Sequence, residues 1–267
     1  GRIMSENKNS VLPDVIESIS NAIQQNIPET AKQTDGALSA VVGFFNNVVL
    51  YPVKKANLTF RYKLEAFEDD LKEKTKHIPP ENLQIPPTMI AGPTLEALRY
   101  TYDEKELREM YENLLASAMD ARIANQALPS FVDAIKQMSP LDAIVLEKFV
   151  ELHQLACAGI KFVIENTNQV YSKAMPTYFL QELADMSDPF IVSTSITNLL
   201  RLGFLNIIDG TINGFDYESF KVHSYVQSRV ALFNSYGERF KVEIDKKVVM
   251  LNDYGKVFAK VCLGKEV

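Results

Sequence analysis

Ile78-Pro79-Pro80-Glu81-Asn82-Leu83-Gln84-Ile85-Pro86-Pro87 divides the chain, and Leu128-Pro129-Ser130-Phe131-Val132 with Ser139-Pro140-Leu141-Asp142-Ala143 closes the segment it opens. Proline fixes φ and disfavours helix at the residue before it. Five of the 12 prolines fall between Pro79 and Pro93, so this stretch reads as a stiff, extended strap. Leu83, Ile85, Met89 and Ile90 make it a strap packed on a core rather than a ligand for an aromatic groove. The residues before it read as a helical arm, and those beyond the closing block as a second domain.

Upstream, residues 57–76 read as an amphipathic helix. Phe60, Leu64, Phe67, Leu71 and Ile78 keep helical spacing, and the charged residues around them form a solvated face. Residues 34–53 are the most apolar segment, with Leu38, Val41, Val42, Phe45 and Val49 on one face. Asn46-Asn47 and Pro52 make it too short and too polar for a bilayer span of about 20 apolar residues. A buried helix is the first reading. The adjacent Lys54-Lys55 leaves a membrane or partner face as the alternative. Residues 13–27 carry Val15, Ile16, Ile19, Ile23 and Ile27 at helical spacing. Residues 1–12 read as a tag and a frayed N-terminus, Gly1-Arg2-Ile3 being a cloning remnant, and no signal peptide is expected.

Downstream of the strap, Thr101-Tyr102-Asp103-Glu104 reads as a capping box. The helix it would open carries Leu107, Met110, Tyr111, Leu114, Leu115 and Ala118. Ser139-Pro140-Leu141-Asp142 opens another helix, with proline in the first turn and an acid near the N-terminus. From there the pattern reads as a helix to 155, an extended piece at 169–174, and helices at 176–186 and 190–202. A strand at 204–208 comes next, then a mostly helical 215–239. Residues 240–244 and 248–251 read as a hairpin around Asp245-Lys246. A final helix is capped by Asn252. This order resembles a winged helix-turn-helix. The expected fold is mainly α: a helical domain over 13–138 with the proline-rich strap, and a winged-helix-like domain over 139–267.

The chain has 267 residues, of which 46% are hydrophobic and 23% charged, with a net charge of −6. That acidity argues against non-specific coating of nucleic acid or anionic membrane. Its two cysteines, Cys157 and Cys262, form neither a disulfide framework nor a zinc spacing and suit a reducing cytoplasm. No phosphate loop, zincin or nucleophile-elbow motif is present. His77, His153 and His223 are not spaced as metal ligands or as partners of a nucleophile. The residues therefore predict a cytoplasmic protein that is not an enzyme and needs no cofactor or metal. In the helix before Gly203, Ser193, Thr194, Thr197, Asn198 and Arg201 are the candidate contacts to nucleic acid or to a partner. A single arginine supplies little phosphate affinity, which favours a protein partner over DNA.

The segment 78–143 is similar to the abortive infection alpha family, bacterial proteins linked to phage resistance. The likeness is carried by the strap, by Ile90-Ala91-Gly92-Pro93, by the run from Leu107 to Asp120, and by the closing block. Family members usually have histidine before Pro129, where this chain has Leu128. The resemblance extends over roughly residues 28–260. It implies a role in phage defence and no particular reaction; together with the missing catalytic constellation, it leads to the expectation of a protein partner or phage component.

Overall fold

The computed structural model describes residues 58–171 and 175–267. The apolar face Leu38, Val41, Val42, Phe45 and Val49 lies outside them. The chain divides into two units. The first takes residues up to Gln137 together with Val261–Gly264, and the second takes Met138–Lys260 with Lys265–Val267.

The described part of the first unit is helical: α1 (Leu58–Thr75), α2 (Thr88–Thr101), α3 (Lys105–Met119) and α4 (Pro129–Lys136). Phe67 and Leu71 bury one face of α1, while Glu68 pairs with Lys72 one turn on. The strap is fixed by backbone bonds. Gln84 N donates to Met119 O at 2.8 Å and Ala121 N to Asn82 O at 2.8 Å, which brings Leu83 opposite Asp120. Asp120 is buried, and Arg122 closes on it with a two-pronged contact of 2.8 and 2.6 Å. Those hydrogen bonds hold the Asp120 carboxyl below the usual carboxylate range.

The expected capping box at Thr101 does not form. Thr101 is the last residue of α2 and its hydroxyl donates back to Ala97 O, so α3 starts later, with Glu104 at the N-cap position. Within α3, Glu112 is buried with no hydrogen-bond partner on Oε1 among the described residues. Burial, followed by repulsion from Asp70, pushes its carboxyl up from the ordinary 4.5 to about 8, against the pull of Lys74 and Arg108. Further along α3, Asn113 Nδ2 donates to Cys262 O and Ser117 Oγ to Val261 O, both at 2.9 Å.

The second unit overturns the mainly α expectation. Its centre is a four-stranded antiparallel sheet in the order β2-β1-β4-β3. The strands are β1 (Gln154–Ile164), β2 (Val170–Tyr171), β3 (Leu205–Asp209) and β4 (Phe240–Leu251). Around it lie α5 (Pro140–Leu152), α6 (Pro189–Arg201), α7 (Ser219–Val222), α8 (Ser224–Asn234) and α9 (Asp253–Phe258). The winged-helix reading fails in three places. Residues 240–251 are one continuous strand, not a hairpin, and pair with β1 along its whole length, from Gln154↔Met250 to Ile164↔Phe240. The strand β1 itself fills a stretch whose sequence pattern predicts no strand. The span expected as a helix over 176–186 holds only a single 3-10 turn, Gln181–Leu183, so there is no helix-turn-helix.

The sheet explains these differences by burial. On one face, Ala156, Ile160 and Phe162 of β1 pack with Phe179, Phe220 and Val226. Residues of opposite parity point to the other face. There Leu155, Cys157 and Val249 are buried, and α5 contacts both central strands. Just before β3, Gly203 takes φ +83°, which closes α6.

Candidate functional site

Helix α6 is set by its ends. Asp188 accepts from Phe190 N at 2.8 Å, Pro189 occupies the first turn, and Val192, Ile196 and Leu199 bury the inner side. Its polar residues then divide between two concavities. One is a groove of about 670 Å³, and Ser193, Thr194 and Thr197 line it. The other is a shallower hollow of about 390 Å³, lined by Thr194, Thr197, Asn198 and Arg201 together with Ser139 and Asp142. All five candidate polar residues of this helix thus line one or both of these spaces.

Most of their hydrogen-bonding capacity is already engaged. Ser193 is buried and accepts from Tyr178 N at 3.1 Å. Thr194 and Thr197 each donate to the carbonyl four residues back, Phe190 and Ser193. Asn198 donates to Asp142 Oδ2 at 3.0 Å and accepts from Arg201 at 2.7 Å. With its single cation placed on Asn198, its two threonine hydroxyls bonded to the helix itself and Ser193 engaged by Tyr178 N, α6 does not resemble a helix that reads bases. The DNA-regulator reading loses the winged-helix fold on which it rested.

The floor of the groove is made of residues that the sequence does not single out as a site. It consists of Gly159 and Lys161 from β1, Asp245 and Lys247 from β4, and Ile207 from β3. Register puts Gly159 opposite Asp245 and Lys247 opposite both Cys157 and Asp209. Lys161 Nζ lies 2.5 Å from Asp245 Oδ2, and Lys247 Nζ lies 2.5 Å from Asp209 Oδ1. The second bond raises the Lys247 ammonium above its ordinary pKa and lowers the Asp209 carboxyl below its own. A Cβ on Gly159 would stand 3.4 Å from Asp245 Cβ, so the missing side chain leaves the space beside that carboxylate open. The opposite wall is the segment around Thr177 and Tyr178. It is tied to β1 by the reciprocal bonds between Ala158 and Phe179, at 2.9 and 3.0 Å. The available signal was Lys241, Glu243, Asp245 and Lys247, charges at every second residue interleaved with Val242 and Ile244. That alternation marks a strand with one wet face.

The described residues contain no group of three His, Cys, Asp or Glu side chains placed to hold a metal ion. His153 and His223 lie at helix ends: His153 O accepts from Leu251 N, and His223 Nδ1 accepts from Tyr225 N at 3.2 Å. No helix among the described residues is long and apolar enough to cross a membrane.

A family model described as abortive infection alpha matches residues 59–262. The chain belongs to the abortive infection alpha family. The match takes in the strap, the first unit from α1 onward, and nearly all of the sheet-bearing unit. No curated protein and no solved structure matches the chain. In this abortive infection alpha protein, the groove between α6 and the sheet lies wholly within the matched span.

Proposed function

We propose that this is a bacterial anti-phage protein that aborts infection by binding a protein partner or phage component rather than by catalysis, and that the α6 groove is its binding surface. Family membership supports the anti-phage role. One observation supports the groove: a partly exposed cleft of ligand-binding size, in which oppositely charged side chains from the two central strands face hydroxyls and aromatics on the walls. Every charge on the floor is held by another side chain, an arrangement suited to recognition by complementary charge.

The test is a plaque assay across a varied phage panel with the wild-type gene, an empty vector and Gly159→Leu, which fills the groove from its floor. Protection by the wild type, lost in Gly159→Leu while the purified variant keeps the wild-type circular dichroism spectrum, is the expected result. Equal protection by both rejects the groove as the working surface. No protection against any phage rejects the anti-phage reading.

A further inference from the structure

We infer that the groove takes an extended peptide segment whose alternate side chains run acid, base, acid. The inference rests on the binding reading above and names its partner's chemistry. Three charges on the floor set the pattern. Asp245 and Lys247 are two residues apart on β4, and so point to the same face about 7 Å apart. Lys161 lies one step further along the same direction, because its register partner is Glu243, and its ammonium reaches back to Asp245. Passing from Lys247 through Asp245 to Lys161, the groove's backbone positions carry base, acid and base at a two-residue strand spacing, with the Lys161 ammonium leaning back onto Asp245; Glu243, on the same face beside Lys161, pairs with Lys241 and lies outside the groove lining.

An extended peptide has that same repeat, since its alternate side chains also lie about 7 Å apart on one face. A segment of the form Glu-x-Lys-x-Glu would set each charge against its opposite. Gly159 supplies the room, because the position next to Asp245 carries no side chain. The carboxylates are the exchangeable partners: the Asp209 side chain is 87% exposed and that of Asp245 51% exposed, so neither ion pair is deeply buried. A polyanion is the poorer fit. It would satisfy Lys161 and Lys247 but set negative charge on Asp245 between them, and the charges of the two ion pairs sum to zero.

The experiment uses the full chain and fluorescein-labelled, capped peptides in anisotropy titrations at low salt. The peptides are Glu-Thr-Lys-Thr-Glu, its reverse Lys-Thr-Glu-Thr-Lys, an all-glutamate version and a neutral glutamine version. A single-stranded oligonucleotide is the fifth probe. Glu-Thr-Lys-Thr-Glu should bind at least about tenfold more tightly than the other four, and should weaken as salt rises. The exchange variant Lys161→Glu, Asp245→Lys, Lys247→Glu, Asp209→Lys keeps both ion pairs in reversed sense and should prefer Lys-Thr-Glu-Thr-Lys. Gly159→Leu, which leaves the charges in place, should lose about tenfold or more with every peptide, so the proposal stays testable if the exchange variant fails to fold. Equal binding of all five probes, or tightest binding of the all-glutamate peptide or the oligonucleotide, overturns it. If peptides discriminate poorly while Gly159→Leu still abolishes phage protection, the peptide assignment fails and the groove stands. If peptides bind as expected while protection is indifferent to the groove, the functional reading fails instead.

Discussion

The hydroxyl of Ser195 on α6 donates to Asp142 Oδ1 on α5 across 2.6 Å, with both side chains buried and 53 positions apart in the sequence. The same carboxylate accepts from Ser139 N at 2.7 Å in a capping box and from Asn198 Nδ2 at 3.0 Å. One acid thus caps a helix and joins it to its neighbour. Asp142→Ala would remove the cap contact and leave two buried or half-buried donors without an acceptor. We expect a loss of about 2–4 kcal/mol in urea unfolding, and about 1–2 kcal/mol for Ser195→Ala, which leaves the carboxylate two of its donors.

Glu112 should make stability fall with pH. Its carboxyl sits near 8 in the folded chain, against an ordinary 4.5. Between those values the unfolded chain releases the proton and the folded chain keeps it, so raising the pH favours unfolding. The penalty is absent below about 4.5 and complete above about 8. Burial is its main cause; of the charges that face it, Asp70 on α1 and Glu109 on α3 add to it, while Lys74 on α1 and Arg108 on α3 oppose it. The melting temperature of the wild type should drop across this window, and that of Glu112→Gln should drop less. Identical pH profiles would place the proton elsewhere.

Gly255→Ala should be severely destabilising. An added Cβ would lie 2.4 Å from Phe204 O and 2.7 Å from Leu251 Cδ1, and the first of these is backbone. Gly255 N also donates to Asn252 Oδ1 at 2.9 Å, which caps α9. Separating α9 from β3 would disturb the ring contact between Phe204 and Phe258, whose centroids are 4.4 Å apart. We expect a loss of at least about 3 kcal/mol, or failure to accumulate as soluble protein, measured by expression and chemical unfolding.

Both thiols should resist modification in the native state. Cys157 and Cys262 are buried, and burial pushes the Cys157 thiol up to about 12 and that of Cys262 well above its ordinary value. Thiolate is the reactive form. A colorimetric thiol reagent at pH 8 should label neither cysteine until denaturant is added. Rapid native labelling of either would contradict its burial.

Local signals in the sequence are sound where they concern few residues. Ser139, Pro140 and Asp142 start a helix as their order implies, Asn252 caps α9, and the run from Leu107 to Ala118 is helical. The sheet is less legible because its central strand hides its period. Leu155, Ala156, Cys157 and Ala158 are buried in succession, so no polar residue alternates with an apolar one. Alanine and glycine there also carry little strand preference. Asp245-Lys246 suggests a turn because adjacent charges break the alternation of polar and apolar residues on either side. In the sheet they point to opposite faces: Asp245 contacts Lys161, and Lys246 lies over the Tyr217 ring at 5.8 Å. The polar residues of α6 stand out as a group in the sequence, but the bonds of Ser193 to Tyr178 and of Asn198 to Asp142 depend on residues far along the chain. The charged floor requires a strand pairing that no local pattern supplies.

The return of Val261–Gly264 to the first unit bears on how the gene can be dissected. In sequence the sheet-bearing unit interrupts the helical one: it is entered after Gln137 and left after Lys260, and Lys265–Val267 return to it. A stop codon at the unit boundary would therefore not yield an intact N-terminal half. The Asn113 amide and the Ser117 hydroxyl would lose the carbonyls of Cys262 and Val261 that they now hold. Deletion alleles that stop near residue 137 should then behave as misfolding alleles, and loss of protection in them would say nothing about which unit meets the phage.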